Sequence, residues 1–221
     1  MTQSKKQEDL YILAKLRQSK TYEGYKSISD YANGLYECDY VSPYSKSAHN
    51  EDAEVFVILQ DWSSDENMSG EVCKETNLLG YTPSRGSNKN LIKLLKENLN
   101  LELKDTYATN LFPYIKMGKM SAKIKPTDMS KAAKEFTLPM IDIIKPKIAI
   151  ALGMETFNAL RKSCDLKPAK NMTEAVEFTF AFSGTKIFFQ AHPSQQSQNT
   201  RTKVLVAKDW GRMLDFLNSK L

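Results

Sequence analysis

Five apolar residues, Val55-Phe56-Val57-Ile58-Leu59, run without interruption and stop at a polar corner, Gln60-Asp61-Trp62. So short a run, rich in β-branched and aromatic side chains, predicts a parallel-sheet strand covered on both faces. In open α/β sheets, ligands sit just beyond the carboxyl ends of such strands. Two later stretches have the same form. Thr106-Tyr107-Ala108-Thr109-Asn110-Leu111-Phe112-Pro113 brings an amide to a strand end, and Ile187-Phe188-Phe189-Gln190-Ala191-His192-Pro193-Ser194 brings an imidazole. A carboxylate, an amide and an imidazole at strand ends form the candidate constellation.

Around these strands the chain alternates helical and extended patterns. Residues 7–19 carry Leu10, Ile12, Leu13 and Leu16 at helical spacing. Residues 20–50 are rich in Tyr and Ser and predict short helix and ordered loop over a sheet edge, with the tyrosines as packing residues. Residues 61–86 form a long polar loop with Gly70, Gly80, Pro83 and Gly86, a length that usually serves function. Ser87-Asn88-Lys89-Asn90 is placed to cap a helix bearing Leu91, Ile92, Leu94, Leu95 and Leu99. A further helix is predicted at about 128–144, with Ala132, Phe136, Met140 and Ile143 on one face. Lys147 to Leu152 forms a third strand ended by Gly153, followed by a helix from Glu155 to about Ser163. Val176 to Phe182 alternates and, with Ser183-Gly184 as a turn, predicts a hairpin into the last core strand. A C-terminal helix over roughly 201–217 turns Val204, Leu205, Trp210, Leu214 and Leu217 inward.

Strands alternating with helices predict an α/β fold, a three-layer α/β/α sandwich around a mostly parallel sheet. At 221 residues the chain is expected to be one domain over 1–221, with residues 1–50 a helical and loop extension packed on a core of 51–221. No apolar run is long enough to span a bilayer, and the first residues lack a signal peptide's hydrophobic segment. The expectation is a cytoplasmic protein without membrane contact. Three scattered cysteines, Cys38, Cys73 and Cys164, fit neither a disulfide framework nor a zinc or iron–sulfur site. No metal and no cofactor are expected.

The net charge is +5, and it is unevenly spread. Lys116, Lys119, Lys123 and Lys125 follow the Asn110 strand with no acidic residue among them. This is the pattern of a phosphate-facing loop or of a solvated one. DNA, single- or double-stranded, is the expected partner, and the protein is expected to be a monomer.

Together the strand ends resemble a known family. Leu59-Gln60-Asp61-Trp62 is similar to the Gly-Gln-Asp-Pro corner of the uracil-DNA glycosylase superfamily, and Asn110-Leu111-Phe112-Pro113 to its asparagine-bearing strand end. Pro146 before Lys147-Ile148-Ala149-Ile150-Ala151-Leu152-Gly153 resembles a third strand of that superfamily, and His192-Pro193-Ser194 its second motif. The pieces follow in the family's order over roughly residues 53–220.

The resemblance implies a uracil-DNA glycosylase-like fold and hydrolysis of the N-glycosidic bond of uracil or a related deaminated base in DNA. It gives Asp61 the orienting of water and stabilising of the sugar cation, and His192 the hydrogen bond to the departing base. Asn110 would hold the base edge. Gln60, Trp62, Tyr81 and Ser194 would complete the substrate site, with Tyr81 first and Trp62 second as the stacking aromatic. Lys116, Lys119, Lys123 and Gln195 would meet the nucleic acid. Each has a plainer alternative: a strand-end Asp or Asn bonded to local backbone, a histidine held by its proline, aromatics that only pack.

Two departures stand out. Trp62-Ser63 replaces the family's Pro-Tyr, whose tyrosine excludes thymine's methyl group, and Gln195 replaces a Pro that leads into an apolar wedge. A second reading is therefore a non-catalytic nucleic-acid-binding module on the same fold.

Overall fold

The computed structural model describes residues 4–219. The first helix, α1 (Lys5–Ser19), opens with a capping box in which Ser4 and Gln7 satisfy each other's backbone N–H groups. Leu10, Leu13 and Leu16 pack on the core, whereas Ile12 is 62% exposed. In its place the buried face takes Ala14 and Arg17. Arg17 is fully enclosed because its guanidinium pairs with Glu37 and donates to the carbonyls of Cys38 and Tyr40. It thereby braces the irregular segment that follows.

That segment carries β1 (Tyr25–Lys26) and short 3₁₀ turns, with Tyr22, Tyr31, Tyr36 and Tyr44 all buried. It leads to β2 (Val55–Asp61), whose first five residues are buried. The predicted loop after β2 contains two short helices, α2 (Asp65–Met68) and α3 (Lys74–Leu79), before α4 (Gly86–Leu99). Helix α4 starts at Gly86, ahead of the expected capping residues, and none of them caps it. Asn88 instead donates to the Thr82 carbonyl and accepts from the Tyr44 hydroxyl, so its amide holds the loop rather than the helix end.

Next come β3 (Tyr107–Phe112) and β4 (Ile115–Lys116). The expected helix at 128–144 is α5 (Pro126–Ala132), a π-helical stretch over Ala133–Thr137, and α6 (Leu138–Ile144). The widened turn lies just before Pro139, which has no N–H for the carbonyl one turn back and whose ring crowds it. After β5 (Ile148–Leu152) and α7 (Met154–Ser163), the alternation at Val176 proves to be the end of a helix, α8 (Met172–Glu177). Asn171 caps it by accepting from the Glu174 N–H.

The hairpin is as expected but shorter, with β6 (Phe180–Phe182) joined to β7 (Thr185–Gln190) through Ser183 and Gly184. Both turn residues have positive φ, as a tight hairpin turn demands. The expected C-terminal helix is α10 (Lys203–Asn218), and a further helix, α9 (Gln195–Arg201), precedes it across a break at Thr202 (φ 70°). Val206, Trp210 and Met213 face the core, while Val204 is 78% exposed and Leu205 and Leu214 also lie outward.

The main sheet has the order β3-β2-β5-β7-β6, parallel except for the antiparallel β6 at one edge. Alternate residues of β2 serve opposite cores. Phe56 and Ile58 join Phe136, Ile141 and Phe157 on one face, and Val55, Val57 and Leu59 join Leu91, Leu95 and Trp210 on the other. This is the α/β/α sandwich with helices on both faces that the alternation predicted. Edge strand β3 is also wholly buried, because residues 42–49 cover it. Ala108 N–H donates to the Ala48 carbonyl (2.8 Å) and Ser45 Oγ donates to the Ala108 carbonyl (2.8 Å). Among the described residues no helix is long and apolar enough to cross a membrane.

Gly80 closes α3 with φ +76°, and a Cβ there would lie 1.7 Å from the Pro43 carbonyl oxygen. Gly24 has φ +84° but open space around it. Gly24→Ala should therefore cost only the left-handed strain, about 1–2 kcal/mol, whereas Gly80→Ala should cost clearly more. Urea unfolding of both variants checks this, and equal losses would contradict the close approach at Gly80.

Candidate active site

Parallel strands point their carboxyl ends the same way, so the three polar strand ends must lie on one edge of the sheet. The register places them side by side. Leu59 pairs with Asn110, Asp61 with Phe112, and Leu152 with Gln190, two residues before His192. Asp61, Asn110 and His192 line one cavity of about 550 Å³, together with Gln60, Trp62, Ser63, Tyr81, Lys116 and Lys123.

The Asp61 side chain is only 7% exposed, and its Oδ2 lies 2.9 Å from Lys116 Nζ. The contact is ionic rather than a well-aligned hydrogen bond. Burial raises the Asp61 pKa above the usual carboxylate value, and the negative charge of Glu155 adds to it. Lys116 and Arg85 oppose the rise. The carboxylate is thus held in a low-dielectric site by a fixed cation.

Asn110 is 1% exposed, and its Oδ1 accepts a 2.6 Å hydrogen bond from Ser42 Oγ. Ser42 Oγ itself accepts the Tyr44 N–H, which leaves the hydroxyl proton for Asn110. With its oxygen so engaged, the carboxamide has its Nδ2 donors available to the cavity.

His192 Nδ1 accepts the backbone N–H of Ser194 at 3.1 Å. The proton of the neutral ring therefore resides on Nε2, which becomes a donor. Burial lowers the His192 pKa, so the ring is neutral at physiological pH. Gly153, with φ +93°, stands against it, and a Cβ there would lie 3.5 Å from His192 Cβ. That distance is ordinary packing, so the positive φ of the turn out of β5 is what calls for glycine.

Trp62 is 8% exposed, packs edge-on to Tyr36, and donates from Nε1 to the Gly80 carbonyl at 2.7 Å. It is a pinned wall of the cavity. Tyr81 tilts against Tyr44 at 5.3 Å between centroids and also faces the cavity. Both candidate stacking aromatics therefore border the same space.

Other expected contacts are placed differently. Lys116 is not part of an exposed basic loop: β4 pairs with β1 antiparallel, setting Tyr25 opposite Lys116, and the ammonium is buried on Asp61. Lys119, Lys123 and Lys125 stay exposed, and of these Lys123 lines the cavity. Ser194 caps α9, its Oγ accepting the Ser197 N–H, and it does not line the cavity. Its service is to His192. Gln195 bonds to Asn199 on its own helix and borders a separate depression of about 340 Å³ beside Asn90.

Ser42, Arg85 and Glu155 were missed in the sequence. Ser42 carries no motif, and its partner is a strand end far along the chain. Arg85 had a weak signal, as a lone cation just before a helix in the long loop, and Glu155 another, directly after the Gly153 turn. Among the described residues no cluster of three His, Cys, Asp or Glu side chains could hold a metal ion.

The His192 assignment has a pH consequence. Its folded-state pKa lies below the ordinary 6.5, so between the two values the unfolded chain binds more protons. The stability contributed by the neutral ring is complete above 6.5 and falls as pH drops toward the folded value. His192→Gln should flatten the slope of Tm against pH in that window, and imidazole NMR should show His192 titrating below 6.5. An unchanged slope would refute a buried neutral ring.

A family model of the Uracil DNA glycosylase superfamily matches residues 50–213, a span containing all three strand ends. Among curated proteins none matches the chain. With most of its length matched and its parallel sheet flanked by helices, the chain belongs to the uracil-DNA glycosylase superfamily, which supports a glycosylase-type hydrolase acting on DNA in general.

Proposed function

We propose that this protein hydrolyses the N-glycosidic bond of uracil or a related deaminated base in DNA. One observation carries the reading: a buried carboxylate, an amide donor and an imidazole donor face one cavity from adjacent strand ends. Breaking the bond leaves positive charge on the sugar and a pair of electrons on the base. Asp61 is the anion for the first, and His192 Nε2–H is the donor for the second. Water adds its oxygen to the anomeric carbon, and its proton ends on the released base.

Base choice follows from Asn110. Deamination replaces an exocyclic amine by a carbonyl, at C4 of the pyrimidine in uracil and at the equivalent C6 of the purine in hypoxanthine. With its oxygen held by Ser42, Asn110 offers Nδ2–H to that carbonyl and opposes an amine donor with a donor. Ser63, where the resemblance would put a methyl-excluding tyrosine, lines the cavity with a small side chain. The room it leaves favours a range wider than uracil alone. Lys123 lines the cavity and Lys119 is exposed in the same loop, which supports their meeting phosphates.

Single-turnover assays on uracil- and hypoxanthine-containing oligonucleotides, with alkali cleavage at abasic sites, test the chemistry. His192→Ala should slow the reaction about 10²–10³-fold, and Asp61→Asn at least as much, with both variants folded by circular dichroism. Unchanged rates in both would sink the reading. Lys119→Ala and Lys123→Ala should each lower the salt dependence of DNA binding by about one in the log–log slope. A slope identical to wild type would remove that lysine from the interface.

A further inference from the structure

Among the described residues, Lys116 is the one cation lining the cavity whose side chain is shut away from water, at 4% exposure. Backbone pairing on both sides holds it there. It faces Tyr25 in the small β1–β4 ladder and bridges to Ser64, just after the polar corner of β2. The ammonium spans two partners, Asp61 Oδ2 at 2.9 Å and the Met120 carbonyl at 2.5 Å. Met120 belongs to the same rim loop as Lys119 and Lys123, and that loop is fastened a second time by Glu66 N–H on the Gly118 carbonyl.

An ammonium taken out of water costs several kcal/mol unless it is well paired. A lysine that only touched phosphates would gain nothing from this burial. The charged groups that face Asp61 are few. Lys116 comes from β4, Arg85 from the residue before α4, and Glu155 from the start of α7, while His192 stands opposite as a neutral ring. Lys116 is the cation in direct contact. Remove it, and burial together with Glu155 favours a protonated Asp61, which cannot stabilise a sugar cation.

We propose that Lys116 is a positioning residue that holds Asp61 as an oriented carboxylate and, through the Met120 carbonyl, fastens the basic rim loop to it. The consequence for turnover rests on the glycosylase reading. The ion pair itself can be tested without turnover.

The experiment is a carboxyl-carbon NMR titration of Asp61 in wild type, Lys116→Met and Lys116→Arg, with Asp61→Asn for assignment. Lys116→Met should move the Asp61 midpoint upward, and Lys116→Arg should leave it near wild type. In wild type the Lys116 Nζ resonance should follow the Asp61 titration and lose that response in Asp61→Asn, a readout that survives if Lys116→Met does not fold. In single-turnover kinetics, the acidic limb of the pH profile should shift to higher pH in Lys116→Met. The rate at neutral pH should fall at least about tenfold, with partial recovery on raising the pH. An unmoved Asp61 midpoint, or a Lys116 Nζ resonance indifferent to Asp61, would overturn the proposal. So would borohydride trapping of Lys116 on DNA, which would make the amine a nucleophile. A wild-type protein inactive on every deaminated base would defeat the glycosylase reading, while the NMR result would still decide Lys116.

Discussion

The two-sided burial of β2 is the constraint on which the rest of the architecture depends. Five consecutive apolar residues at the centre of a sheet cannot leave either face in water, so helices must cover both. Helices that cross from strand to strand oblige the strands to run parallel. Parallel strands bring their last residues to a common edge. The cavity at that edge follows from how the hydrophobic core is covered.

A cavity built this way must handle polar groups that the strands deliver half-buried. Each is oriented by a partner from outside the sheet. Ser42 engages the oxygen of Asn110, the Ser194 N–H sets the tautomer of His192, and Lys116 neutralises Asp61. Ser42 and the Ser194 backbone have few rotamers to lose, and Lys116, a longer side chain, is held by the pairing of β4 with β1. The geometry is therefore set before any ligand arrives, as electrostatic catalysis under the proposed reading would require.

The strands were legible in the sequence because continuous apolar runs are a local signal, and so were the three polar residues at their ends. The resemblance to the superfamily rested on the same residues. Boundaries governed by single residues were harder to read. Thr202 takes positive φ although it is not a glycine, so the break between α9 and α10 could not be foreseen. The alternation through Val176 concealed the end of a helix whose start is capped by Asn171. Partnerships across long sequence separations left no trace at all. Lys116 sits in a basic cluster that reads as surface, and only the pairing of β4 with β1 shows that it turns inward to Asp61. Ser42 is equally silent, because its meaning comes from a strand end that the fold brings beside it.

The cover over β3 has a consequence for how the protein behaves in a crowded solution. An open parallel edge would invite another chain to add a strand, and residues 42–49 block it with Ala48, Ser45 and the bridge from His49 to Tyr107. The same few residues include Ser42, which grips Asn110. Protection against aggregation and, under the proposed reading, discrimination between bases therefore reside in one short segment. Drift there is restrained twice over, since a change that loosens the strap exposes the sheet edge and frees the carboxamide together.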